Sequence, residues 1–201
     1  MTWQDDDDDC CCDKAGTGLD PERQLLRKRR VITLLDSIDQ AAAKRVCEDL
    51  RILESQNHDP IELVISTNGG GVLSMFAIMD MIAYVQKRGI LVTGRVIGRA
   101  MSAGFNILQK CDRRVMSPHS YLMAHGAWGF SIGDIKDKQA TLNWEKDIRD
   151  RMAHLVAERN TGADSKYHNP EFWRDLFTED TPVFLSVDQA IEWGVVDEVE
   201  R

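Results

Sequence analysis

No apolar run in the 201-residue sequence approaches the roughly 18–20 residues that would span a bilayer. No basic-then-apolar leader opens it either. These absences argue against a membrane protein or a secreted one. The chain also lacks a basic excess. Asp and Glu number 33 against 25 Lys and Arg, for a net charge of −8. Non-specific nucleic-acid binding needs a positive footprint, so that class is excluded. A disulfide framework is missing as well. Of five cysteines, three are the adjacent Cys10, Cys11 and Cys12, and adjacent thiols cannot staple distant parts of a chain. Cys47 and Cys111 stand singly in apolar or mixed segments. The pattern fits a reducing compartment, and the expected location is the cytoplasm.

The first 28 residues differ in composition from the rest. Five carboxylates, Asp5 to Asp9, precede the cysteine triplet. Like charges repel and no apolar period is present, so residues 1–28 read as a disordered acidic segment. Aspartate and cysteine mix hard and soft ligands, and the run matches no familiar metal geometry. No metal and no cofactor is expected in this chain. Residues 29–201 read as one domain, and 43% hydrophobic residues supply its core.

In that domain strands alternate with helices. Val31 to Leu35, Ile61 to Ile65 and Ile90 to Ile97 are apolar, β-branched runs that read as buried strands. A helix is expected from about Asp39 to Gln56, capped by Ser37 or Asp36, with Ala43, Val46, Leu50 and Leu53 inward. Another runs from Leu73 to Lys87 with Phe76, Met79, Ile82 and Ala83 inward. Ala103 to Lys110 is a short helix. Arg113 to Met116 and Tyr121 to Ala124 are short strands. A long helix spans about 135–159, helices follow near 170–177 and 187–193, and a strand closes the chain at 195–199. Alternation of this kind indicates an α/β fold with a mainly parallel sheet and crossover helices.

Three features fall at strand ends, where α/β folds place their sites. Gly69-Gly70-Gly71 can bring backbone N–H groups close to a ligand, or it can be a plain turn. Ser102 sits between Met101 and Ala103, at the start of a helix whose dipole favours negative charge. It can be a nucleophile or an ordinary helix N-cap. His125 ends the strand Tyr121 to Ala124. It can be a general base or a satisfied structural histidine.

The order of glycine turn, serine, histidine and a late acid, with Ser102 and His125 only 23 positions apart (125 − 102), resembles the Clp protease proteolytic-subunit family. Ile61-Glu-Leu-Val-Ile-Ser-Thr-Asn-Gly-Gly70, Gly98-Arg-Ala-Met-Ser-Ala-Gly104, Leu122-Met-Ala-His125, Phe184-Leu-Ser-Val-Asp-Gln-Ala190 and Glu192-Trp-Gly-Val-Val-Asp-Glu-Val199 carry the resemblance, which covers about residues 29–199. It implies the ClpP/crotonase-like superfold, with the long helix as a protruding handle. It implies a Ser-His-Asp endopeptidase acting on peptides or unfolded proteins. Ser102 is then the nucleophile, His125 the base, and the N–H groups of Gly70 and Ala103 the oxyanion hole. Phe177-Thr-Glu-Asp-Thr181 resembles the family's acid segment and selects Asp180, although an ungapped count back from Phe184 lands on Thr178. Asp175 is the alternative. Two stacked heptameric rings are implied, and so is an AAA+ unfoldase partner that uses the ATP. The chain departs from the family pattern at Thr67-Asn68, at Gly126-Ala127 after the histidine, and in its N-terminal segment. Two other readings compete: a crotonase-like acyl-CoA enzyme, which would use the glycine turn without the Ser-His pair, and a non-catalytic ring subunit.

Overall fold

The computed structural model describes residues 20–126, 135–162, 164–179 and 181–200. Among these residues it has an α/β architecture with seven strands and seven α-helices. Strands β1 (Val31–Leu34), β2 (Ile61–Thr67), β3 (Val92–Met101), β4 (Arg113–Met116) and β7 (Glu198–Val199) lie side by side in that order, all parallel. Ile32, Leu34, Ile61, Leu63, Ile65, Val92 and Val96 are buried along them. Strands covered on both faces need such near-continuous apolar runs.

The central strand β3 serves two neighbours on one side. Its first half pairs with β4, and its last residues pair with β5 (Tyr121–Ala124): Arg99 with Tyr121, Ala100 with Leu122 and Met101 with Met123. The connection between β4 and β5 is pinned to β3, because Ser117 N–H and Ser120 Oγ both donate to the Val96 carbonyl. Strand β6 (Val183–Leu185) then adds antiparallel to β5.

The helices pack as amphipathic layers. Helix α2 (Gln40–Gln56) buries Ala43, Val46, Leu50 and Leu53, the face expected from its period. Its N-cap is Asp39, whose side chain accepts from Ala42 N–H at 2.7 Å, rather than Ser37 or Asp36. The extended backbone at Asp39 is what lets the carboxylate reach back. In α3 (Val72–Gln86) the buried face is Met75, Ile78, Met79, Ile82 and Val85. Phe76 and Ala83, expected inward, sit on its flank.

Helix α5 (Ile135–Arg159) has two characters. From Ile148 to Ala157 it contributes core residues, whereas residues 136–147 are largely exposed and include Leu142 and Trp144. The expected handle is therefore present as an unsheathed first half. Helix α6 (Pro170–Thr178) is anchored by Trp173, which is fully buried against Phe105, Tyr167, Phe172, Phe177 and Trp193 and donates its ring N–H to the Tyr167 carbonyl. Helix α7 (Val187–Glu192) opens with a capping box from Ser186 and Gln189.

Helix α4 (Ala103–Lys110) is tied to the C-terminal strand through a buried cation. Arg114 is wholly buried and pairs with Asp197 while donating to Gln109 Oε1 at 2.8 Å and to Thr161 Oγ1 at 3.2 Å. Burial opposes ionisation of Asp197, but the hydrogen bonds and charge of Arg114 outweigh it and hold the carboxyl below its ordinary value.

One boundary is corrected. The disordered segment read over 1–28 does not reach residue 28, because Pro21–Lys28 forms helix α1, capped by Asp20. Its Arg23 and Arg27 both engage the buried Asp49 of α2. A charge pattern that reads as solvated in sequence here closes onto an internal carboxylate. Residues 1–19, with the acidic run and the cysteine triplet, lie outside the described residues.

Candidate active site

Strand β3 ends at Met101, and the chain turns sharply at Ser102 into α4. Ser102 has φ 55° and ψ −118°, one of only two non-glycine residues at positive φ among the described residues. Holding an L-residue there costs on the order of 1–3 kcal/mol and persists only where the surroundings over-determine it. Ser102 occupies the N-cap position, yet its side chain makes no capping hydrogen bond. The ordinary N-cap alternative is thereby removed: the hydroxyl is not spent on the helix. The turn is held by the Ser102 N–H, which donates to the Met123 carbonyl of β5 at 2.8 Å.

The glycine turn is packed directly onto this serine. Gly69 has φ 103°, and a Cβ there would stand 2.7 Å from Ser102 Cβ. Side chains are therefore excluded both by conformation and by contact. Thr67, at the end of β2, organises the turn. Its hydroxyl donates to the Asp36 carbonyl at 2.7 Å and accepts from Gly69 N–H at 3.0 Å. Gly71 N–H donates to the Ile38 carbonyl at 2.8 Å. Gly70, between these two engaged amides, lines the cavity. Ala103 N–H is the first of α4 and belongs to the helix-terminal donors that have no intrahelical partner.

His125 follows β5 immediately. Because Met101 pairs with Met123, the register brings Ser102 alongside the end of β5. Ser102, His125 and Gly70 line one cavity of about 800 Å³. Burial lowers the His125 pKa from its ordinary 6.5, which favours the neutral imidazole.

The acid is the least defined member. Asp180 lies outside the described residues. Asp175 is exposed on α6 and is not among the residues lining the cavity. The residues on either side of Asp180 do line it: Phe177, Thr178 and Glu179 before it and Pro182 after it. Gly126 accounts for that approach. A Cβ at Gly126 would stand 1.8 Å from the Phe177 carbonyl oxygen, so the end of α6 rests on the residue after His125. The glycine at 126, one of the departures from the family pattern, is thus a packing requirement.

Sequence reading gave no site role to Asn68, Glu145, Arg149 and Glu179, which line the cavity, or to Asn106, which lines a smaller pocket beside Ser102. Glu145 and Arg149 are i, i+4 neighbours on α5, and only the placement of that helix brings them to the site. Asn106, one turn along α4 from Ser102, breaks an otherwise apolar stretch. That was the one signal available. Among the described residues no cluster of His, Cys, Asp and Glu that would hold a metal ion occurs, and no helix is long and apolar enough to cross a membrane.

A parallel α/β sheet whose central strand ends in a strained serine, with a glycine turn on one side and a strand-end histidine on the other, defines the ClpP/crotonase-like architecture. The family model for the Clp protease matches residues 15–201, and the chain belongs to that family, which makes it a peptidase of the Clp type.

Proposed function

We propose that the protein is a serine endopeptidase that hydrolyses peptides or unfolded proteins through an acyl-enzyme. The observation that carries this reading is Ser102 itself: strained, uncapped and sharing a cavity with His125. In this mechanism Ser102 Oγ attacks the peptide carbonyl while His125 takes its proton. The oxyanion is met by the N–H groups of Gly70 and Ala103, and the dipole of α4 adds to them. The tetrahedral intermediate collapses as His125 protonates the leaving amine, and water repeats the sequence to free the acid. Asp180 would orient the imidazole and stabilise its charged form, and the cavity-lining residues that flank Asp180 support that assignment.

The exposed half of α5 supports assembly. Leu142 and Trp144 are 48% and 45% exposed on the first half of α5. We assign this half of the helix to contact with a second copy of the chain. Stacked heptameric rings would enclose the serines, so that only short or threaded chains reach them. An AAA+ unfoldase would supply ATP-driven threading, and the subunit itself would need no cofactor. We place it in the cytoplasm.

The test is hydrolysis of short fluorogenic peptides by the full chain, alongside its mass in solution. The reading expects turnover by an oligomer and a loss of about 10⁴–10⁶-fold in Ser102→Ala. Equal turnover by Ser102→Ala would remove the proposal.

A further inference from the structure

Helix α5 supplies one wall of the large cavity. Glu145 and Arg149 stand four residues apart, so they share a helix face, and both line the cavity with Ser102 and His125. Ile148, beside Arg149, is buried and lines the small pocket against Ser102. One turn of α5 therefore serves both the core and the cavity wall. The cavity, about 800 Å³, has room for a substrate side chain.

Arg149 is half-buried, and it differs from its neighbours in having no partner. Arg151 pairs with Asp147, Arg174 with Asp150, and Arg159 donates to the Cys111 and Asp112 carbonyls. The aspartates nearest to Arg149 along α5 are thus spent, and Glu145 has contacts of its own. Among the described residues no carboxylate, carbonyl or ring engages the Arg149 guanidinium. Its nitrogens are also reachable. The unmatched side-chain atoms sealed from solvent are Asn106 Oδ1 and Arg159 Nε, and no atom of Arg149 is among them. A guanidinium is always charged and presents a planar fork that fits a carboxylate through two parallel hydrogen bonds. Left unpaired on the wall of a cleft, it is a receptor for that group.

We infer that Arg149 is a specificity-determining residue: its guanidinium receives a substrate carboxylate, from a glutamate or aspartate side chain or from the chain end, near the attacked bond. This rests on Ser102 being the nucleophile. Glu145 and Glu179 line the same cavity, and they repel a carboxylate that does not reach Arg149. The preference is therefore confined to one substrate position, and acidic residues elsewhere gain nothing.

The experiment uses internally quenched peptides, with cleavage mapped by mass. Glutamate or its uncharged isostere glutamine is placed in turn at successive residues on either side of the cleaved bond, and the chain end is left free or amidated. A fluorophosphonate probe reports the serine in the same samples of the full chain. The expected result is one position at which the carboxylate raises kcat/KM about ten-fold over its neutral counterpart. A side-chain source shows in the glutamate-to-glutamine ratio, and a chain-end source in the free-to-amidated ratio. That ratio should fall towards one in Arg149→Met, which keeps the apolar stem, and lysine should be preferred there in Arg149→Glu. A labelled serine with no such position in the wild type overturns the inference and leaves the peptidase reading standing. So does a preference that persists in Arg149→Met or, should that variant not fold, in Arg149→Gln. Absence of both labelling and cleavage overturns both readings.

Discussion

The two sides of the candidate site are built differently. The serine side is made by the middle of the sheet. Ser102 leaves the central strand, is bonded to β5 through its N–H, and has Gly69 pressed against its Cβ. Gly104 just behind it approaches Thr67 so closely that a Cβ there would stand 2.4 Å from the threonine methyl. The histidine side is made at an edge. His125 follows a four-residue strand whose outer neighbour is the three-residue β6, and the end of α6 rests on Gly126 beside it. The serine turn is thus fixed by the core, and His125 by a short antiparallel strand pair and one backbone contact. Strain at Ser102 can be sustained because the first arrangement is rigid. Alignment of the proposed triad would depend on the second.

Substitution at the acid tests this division most severely. Asp180→Asn should lower kcat by about 10³–10⁴-fold, while Asp175→Asn stays within about two-fold. Steady-state assays on a short peptide check both, and the reverse ranking would move the acid to α6. The two glycines should fail in different ways. Gly126→Ala pushes the end of α6 away from His125, and we expect a loss of about 10²-fold in kcat with little change in thermal stability. Gly69→Ala sets a methyl against Ser102 at an unfavourable φ, and should cost about 2–4 kcal/mol of stability in denaturant unfolding as well as activity. If both behave alike, the proposed contrast between core and edge is wrong.

The smallest effect concerns pH. His125 must be neutral to act as base, and burial lowers its pKa, so it keeps the neutral form to more acidic pH than an ordinary histidine. The acidic limb of kcat/KM should therefore have its midpoint below 6.5. A carboxylate facing the ring raises that midpoint, so Asp180→Asn should move the limb lower still if Asp180 is the partner.

The same contrast explains what was legible in the sequence. The β-branched runs at 31–34, 61–67 and 92–101 announce themselves because buried parallel strands need continuous apolar residues. Ser102, Gly70 and His125 were singled out because each lies at the end of an expected strand and together they match the order of the Clp family's motifs. Strand β6 was missed because three residues carry no period, and its pairing depends on β5. Helix α1 was missed because its arginines look solvated until Asp49 of α2 is placed beneath them. Gly126 was read as a departure from a motif, and its reason, the Phe177 carbonyl, is 51 positions away (177 − 126) in sequence. Arg149, Glu145 and Asn106 sit on helices whose facing is set by packing alone.

The central claim is that Ser102 is a nucleophile activated by His125. Intact-mass and peptide mapping after fluorophosphonate treatment of the full, assembled chain tests it most directly. The account predicts a single adduct per chain on Ser102, formed far more slowly in His125→Ala. A folded, assembled protein that takes no adduct, or takes it elsewhere, would contradict it.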